Sequence, residues 1–298
     1  MRHNSLFSTI ILTGLALIAF AANSVLCRLA LGYEAIDAAS FTIIRLLSGS
    51  IVLLLIICST QSATRNVTST PSKGSWTASF MLFVYAITFS YAYTSLDTGT
   101  GALILFGSVQ ITMILLSFLS GTRLHITEWS GVVIAFSGFI YLVLPEVTTP
   151  SASGFLLMTT AGIAWGIYTL KGRASNNPLM DTSYNFFRTT PLVMLLAIYT
   201  MNNSQYSSEG VILALLSGGI TSGIGYTIWY IALRGLSSTQ AAVLQLSVPV
   251  IAALGGIIFV SEAITFRLMV SATIVLGGIL IVVLGKYYAS QRKLEMKK

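Results

Sequence analysis

Ten apolar stretches, each close to the length that crosses a bilayer, follow one another through this chain with almost nothing between them. A membrane helix needs about 20 mainly apolar residues to span ~30 Å of hydrocarbon. The first five stretches run over Leu6–Ala30, Ala38–Cys58, Trp76–Ser95, Thr98–Leu119 and Glu128–Leu144. The second five run over Gly154–Leu170, Thr182–Thr200, Gly210–Leu233, Thr239–Val260 and Phe266–Leu284. Only the 59–75 loop is both long and polar, so no segment is left for a soluble domain. Barrel strands would read as ~10-residue alternating segments, and the chain shows none. Composition removes the other classes. Charged residues make up 8% of the 298, against roughly 25% in a soluble domain. With 55% hydrophobic residues the chain does not have the composition of a disordered one. The net charge of +7 does not point to nucleic acid, because Lys and Arg are strung out between apolar runs rather than gathered on a polar domain. The expectation is an all-α integral membrane protein with ten transmembrane helices.

Lys and Arg accumulate on the cytoplasmic side of membranes. With the N-terminus inside, the inner segments hold Arg2, Arg65, Lys73, Arg123, Lys171, Arg173, Arg234, Lys286, Arg292, Lys293, Lys297 and Lys298. The outer segments hold only Arg28 and Arg267, while Arg45 and Arg188 fall within helices. This asymmetry predicts cytoplasmic N- and C-termini in a bacterial inner membrane. Met1-Arg2-His3 before an apolar run also has the form of a signal peptide; the repeat described next favours a retained first helix. Cys27 and Cys58 sit at opposite ends of their helices, too far apart for a disulfide, and are expected as free thiols.

The chain repeats itself. Phe41-Thr-Ile-Ile-Arg45 matches Tyr184-Asn-Phe-Phe-Arg188 at a separation of 143, which also pairs Arg28 with Lys171. At 140, Leu96 meets Leu236, Gly138 meets Gly278 and Leu144 meets Leu284. Two five-helix halves result, 1–145 and 150–290, followed by a basic cytoplasmic tail, 291–298. Five is odd, so the second half enters the membrane inverted, as in many secondary transporters.

Charged residues inside membrane helices are costly and mark pathways, ion pairs or snorkelling ends. Arg45 and Arg188 are therefore candidate gate anchors or ligand contacts, with a bidentate carboxylate as one possible partner. Trp165 and Tyr168 share a helix face, as do Tyr226, Trp229 and Tyr230. Trp165, Tyr168, Trp229 and Tyr230 are expected to line a cavity or to pack the core. Asn23, Gln110 and Gln245 are amides at membrane depth that need partners, either across helices or from a ligand. Gln245 lies four before Pro249, which removes a backbone hydrogen bond from its helix. Gly162/Gly166 and Gly219/Gly223 have the spacing of close helix contacts.

Several stretches carry a family resemblance. They are Ala22-Asn-Ser-Val-Leu-Cys-Arg28-Leu-Ala-Leu31, Ala39-Ser-Phe-Thr-Ile-Ile-Arg45, Trp165-Gly166, Leu246-Ser-Val-Pro249 and Ser261-Glu262. In order and spacing the chain resembles the EamA family of the drug/metabolite transporter superfamily over nearly its whole length. It departs from the family's pattern at Ala22-Asn23, where Trp-Gly is common, and at Val109 and Thr122. The resemblance implies export or exchange of small metabolites, such as amino acids or related amines and drugs, by alternating access. It also implies a central site between helices 1, 3, 4 and 6, 8, 9. The small multidrug relatives use a membrane Glu in helix 1, whereas the first acidic residue here is Glu34. No Asp or Glu lies clearly at membrane depth, and the histidines are His3 and His125. An intramembrane enzyme would lack its base or metal ligands, and a channel-like facilitator would need a filter ring. No cofactor or metal is expected. The expected partners are membrane lipids and a small-molecule substrate, with no nucleic acid, for a monomer or homodimer.

Overall fold

A chain this apolar must satisfy its backbone polar groups internally, and helices do so within one segment. The computed structural model describes residues 6–61, 74–119, 126–143, 150–172, 175, 177–236, 241 and 244–295. Among the described residues every extended element is helical, apart from an isolated antiparallel bridge between Ile36 and Tyr206. The helices are α1 (Leu6–Gly32), α2 (Ala38–Gln61), α3 (Trp76–Tyr93), α4 (Thr98–Leu119), α5 (Ile126–Val143) and α6 (Ala152–Gly172). They continue as α7 (Pro178–Arg188), α8 (Thr190–Thr200), α9 (Ser208–Leu216), α10 (Gly225–Leu233), α11 (Val248–Val260) and α12 (Phe266–Glu295). Among the described residues, five spans are long and apolar enough to cross a membrane: Phe7–Gly32, Ala38–Ser59, Thr98–Leu116, Ala152–Gly172 and Ser208–Leu233. Trp129–Leu142, Val248–Val260 and Phe266–Val282 are shorter apolar helices. Arg2, Arg65, Lys73, Arg123, Arg173, Lys297 and Lys298, which carry much of the charge asymmetry, lie outside the described residues, as do His3, His125 and the junction at 144–149.

Three of the expected continuous helices are interrupted. The stretch Thr182–Thr200 breaks at Thr189, between α7 and α8, where Pro191 sits in the first turn of the second piece. Proline is tolerated there because its missing N–H has no helical partner anyway. The helix within Thr239–Val260 that is described in full begins at Val248, again with a proline, Pro249, in its first turn. The stretch Gly210–Leu233 stays helical but passes through a π-helical segment, Ser217–Ile224, between α9 and α10. Several hydroxyls inside the helices are satisfied locally: Thr42, Thr88, Ser90 and Thr227 each donate to the carbonyl one turn back. This removes the cost of a free hydroxyl in an apolar surrounding.

Packing joins helices far apart in sequence. α3 and α4 lie against α6, α1 against α10 and α11, α4 against α11, and α5 against α12. α2 packs on α7, α8, α9 and the π segment. At the start of α2, Asp37 accepts N–H bonds from Ser40 and Gln205. Burial pushes its pKa up, but hydrogen bonds from the Ser40 side chain and from the backbone of Ser40, Gln205 and Ala39 outweigh that and hold the carboxyl below the usual carboxylate range. That contribution to stability is present at neutral pH and is lost as pH falls through the depressed value. Cys27 and Cys58 are not joined in a disulfide, as expected.

α2 and the π segment approach closely at Gly218. A Cβ built on Gly218 would stand 2.0 Å from the Arg45 carbonyl oxygen and 2.0 Å from Ser48 Oγ. Gly162 and Gly166 likewise bring α6 onto α4, with Leu105 O 2.7 Å from a Cβ at Gly162. Gly218→Ala is therefore expected to lower the thermal midpoint in detergent, at a cost on the order of 1–3 kcal/mol for forced overpacking. Gly14→Ala, whose Cβ would meet nothing within 4 Å, is the neutral control.

Candidate functional site

Arg45 lies on α2, one turn beyond Phe41 in the apolar run, and its side chain turns inward rather than to a helix end. It is 1% exposed. Its Nε donates to Ser222 Oγ at 3.2 Å, and one terminal nitrogen donates to the hydroxyls of Tyr85 and Tyr226, each at 3.0 Å. The guanidinium covers the rings of Tyr85 and Phe89, 5.1 and 4.9 Å from their centroids. The other terminal nitrogen is buried with no hydrogen-bond partner. Arg remains charged in proteins, and among the described residues Arg45 has no carboxylate partner. Tyr85 comes from α3, Ser222 from the π segment and Tyr226 from α10, so three elements hold one cation. The π turn is a frequent mark of functional positions in helices. Here its Ser217 and Thr221 hydroxyls donate to Asn23 Oδ1 at 2.7 and 3.0 Å, while Asn23 Nδ2 donates to Tyr85 at 3.4 Å.

Beside this cluster is a small cavity of about 10 Å³, room for roughly one water. Phe20, Asn23, Ser24, Tyr85, Phe89, Leu105, Phe106, Trp165 and Tyr226 line it. Its aromatic wall is continuous. Trp165 sits 4.5 Å from Tyr226, 4.9 Å from Tyr85 and 6.1 Å from Phe20 between ring centroids, and Phe20 packs edge-on to Trp229 at 5.6 Å.

Of the residues expected from sequence, Asn23 and Trp165 line the cavity, and Arg45 bonds to its Tyr85 and Tyr226. Tyr168 stacks on Trp165 at 5.2 Å, and Tyr230 follows at 6.3 Å from Tyr168. Trp229 is one ring further out, behind Phe20. Gln110 and Gln245 are buried but outside the lining, with Gln110 Nε2 and Gln245 Oε1 unpartnered. Arg188 stands apart, half-buried at the α7–α8 break, with its guanidinium 5.2 Å from the Trp76 ring centroid. Arg45 and Arg188, alike in their sequence context, thus have different surroundings. Sequence reasoning left Phe20, Tyr85, Phe89 and Phe106 out of the site. Tyr85 carried a usable signal, as a hydroxyl in the middle of an apolar helix that needs a partner.

The bundle is tied shut on both sides of the cavity. On the side where α1 ends, Arg28 Nε donates to Glu262 Oε1 at 3.0 Å and its NH2 to Asp97 Oδ1 at 3.3 Å. Both Glu262 oxygens accept from Thr98 N, at 3.0 and 2.9 Å, at the N-terminus of α4. A carboxylate there is favoured by the helix dipole. Tyr33 donates to Val260 O at 2.9 Å, completing the tie from α1 to α11. On the opposite side, Gly74 N donates to Asp181 Oδ1 at 2.7 Å and Ser75 N to Asn185 Oδ1 at 2.9 Å. These bonds clamp the start of α3 onto α7. Arg28 and Glu262 side chains are 19% and 13% exposed, against 55% for Asp97. A double-mutant cycle on Arg28→Ala and Glu262→Ala, read by thermal unfolding, is expected to give a coupling energy of about 1 kcal/mol or more. Asp97→Ala should change stability by less than about 0.5 kcal/mol, as exposed pairs do.

Comparison with known proteins fits this arrangement. The profile described as the EamA-like transporter family matches residues 152–284. An uncharacterized protein of Pseudomonas aeruginosa is 45% identical over 274 residues, covering 92% of this chain and 94% of that protein. A protein of Escherichia coli named as a probable amino-acid metabolite efflux pump is 24% identical, covering 69% of this chain and 77% of that protein. A solved crystal structure shares the fold, with a TM-score of 0.61, 17% identity and coverage of 91% of this chain and 96% of that one. This chain belongs to the EamA-like transporter family.

Proposed function

We propose that the chain is a secondary transporter that exports or exchanges small metabolites across a bacterial inner membrane by alternating access. The observation that carries this reading is the placement of Arg45. It is a fully buried cation with no carboxylate partner among the described residues, held by α3, the π segment and α10 beside an aromatic cavity. A buried charge without a counter-ion is costly and marks function in membrane helices. The cavity, closed on both sides, suits a carrier better than an open pore. The halves 1–145 and 150–290 are the moving parts in this reading, with ten spans in two inverted sets and both termini cytoplasmic. The packing supports the repeat. If the first five apolar stretches are exchanged with the second five, α1 on α10 becomes α6 on α3, α1 on α11 becomes α6 on α4, and α5 on α12 maps onto itself. In this orientation the Arg28–Glu262 tie is the outer gate and the Asp181–Gly74 tie the inner one. The Escherichia coli relative's printed name suggests amino-acid metabolites as one group of solutes to test.

Counterflow in liposomes preloaded with a mixture of amino acids, organic acids and quaternary amines tests this. Saturable exchange of at least one solute is expected. Trp165→Ala should slow it several-fold, the loss expected from about 0.5–1.5 kcal/mol of aromatic contact beyond buried area. Arg188→Gln, away from the cavity, should leave it close to the parent rate. Flux that never saturates, as through a pore, would contradict the reading.

A further inference from the structure

The polar end of the cavity has donors in excess. Tyr85 Oη receives hydrogen bonds from Arg45, Asn23 and Tyr226. A phenol oxygen has two acceptor lone pairs, so three donors converge where two can be served. The free terminal nitrogen of Arg45 adds further N–H groups with nothing to meet. Nearby acceptors are already engaged: Asn23 Oδ1 takes the Ser217 and Thr221 hydroxyls, and Ser222 Oγ takes Arg45 Nε. Ser24, a neutral hydroxyl in the lining, is unpartnered. Glu262 and Asp97 are already held by Arg28. Such a site holds a buried cation with N–H groups left over and no negative charge among the described residues, and a carboxylate supplies both a strong acceptor and the charge.

We infer that the preferred ligand is an organic monoanion, a carboxylate on a flat apolar or aromatic body, and not a zwitterion or an amine. This rests on the reading of the cavity as the transport site. The carboxylate accepts from Arg45 and takes over the role that the Tyr85 hydroxyl fills in the closed state; a planar guanidinium suits a two-oxygen acceptor. The body lies among Phe20, Phe106 and Trp165. The cavity's present volume admits roughly one water, so the ligand enters when one of the two ties opens and the aromatic wall parts. An ammonium group would approach a buried guanidinium with no free carboxylate to offset the like charge.

Three probes share one body: 3-phenylpropionate carries only the carboxylate, phenylalanine both charges, and phenethylamine only the ammonium. Binding to the purified full chain is read by intrinsic tryptophan fluorescence at neutral pH, and exchange by counterflow. The expected result is saturable binding and exchange of 3-phenylpropionate, with the other two weaker by roughly tenfold or more, as for a lost charge-assisted hydrogen bond. Arg45→Gln should abolish the preference. Arg45→Lys, which keeps the charge and guards against a folding artefact, should retain the order of the three with weaker binding. Equal or tighter binding of phenylalanine or phenethylamine, or no binding of 3-phenylpropionate, overturns the inference. Binding of 3-phenylpropionate without exchange would uphold the inference while overturning the transport reading. Exchange of other solutes without its binding would do the reverse.

Discussion

The guanidinium of Arg45 is the constraint around which the centre of this molecule is organised. Removing a cation from water costs several kcal/mol even after relaxation, and no carboxylate among the described residues offsets it. Compensation comes from oriented dipoles and ring faces: two phenols, one serine hydroxyl, and the rings of Tyr85 and Phe89. Tyr85 and Phe89 reach the charge from α3, and Ser222 and Tyr226 from the π segment and α10 that follows it. This compensation brings α3, the π segment and α10 to one point on α2. The approach is close enough that Gly218 faces the Arg45 carbonyl with no room for a side chain.

The aromatic wall and the two ties follow from the same arrangement. Tyr85 and Tyr226 have their hydroxyls on Arg45 and their rings against Trp165, so polar and apolar parts of the site share the same residues. A shift of α3 or α10 would disturb the hydrogen bonds and the stacking together. Small central changes of this kind can be amplified when packed helices have two discrete arrangements. The Arg28–Glu262–Thr98 tie joins α1, α4 and the turn after α11, whereas the Asp181 and Asn185 contacts join α3 and α7. The two ties therefore engage different helix sets.

Much of this was legible in the sequence, for identifiable reasons. Arg45 stood out because a charge inside an apolar run has few explanations. Trp165 stood out through its Trp-Gly context, and Asn23 as an amide at depth. The pairing of Arg28 with Glu262 was not legible, because 234 residues separate them and only the folded bundle brings α1 to the turn after α11. Phe20 and Phe106 were missed because helices that are apolar all round give no periodic hint of which face turns inward. The proline-linked break at Thr189 was written in the sequence at Pro191, yet the run was apolar enough to read as continuous. The π segment has only its Gly-Ser-rich composition as a sign. The likeness of Arg45 and Arg188 in sequence did not extend to their surroundings, because Arg188 meets Trp76 at a helix break and Arg45 meets Tyr85, Ser222 and Tyr226 in the interior.

If Arg45 is retained for function at a cost in stability, the measurement that separates the two is Arg45→Met, a neutral side chain of similar reach. Thermal unfolding and liposome exchange would be measured on the same preparation. The expected result is a thermal midpoint equal to or above the parent's, because an apolar side chain removes the desolvation cost of an unpaired buried charge and Tyr85 and Tyr226 already hydrogen-bond each other at 3.2 Å. Exchange should be lost. A variant that unfolds at markedly lower temperature, or one that exchanges solute at the parent rate, would contradict the account.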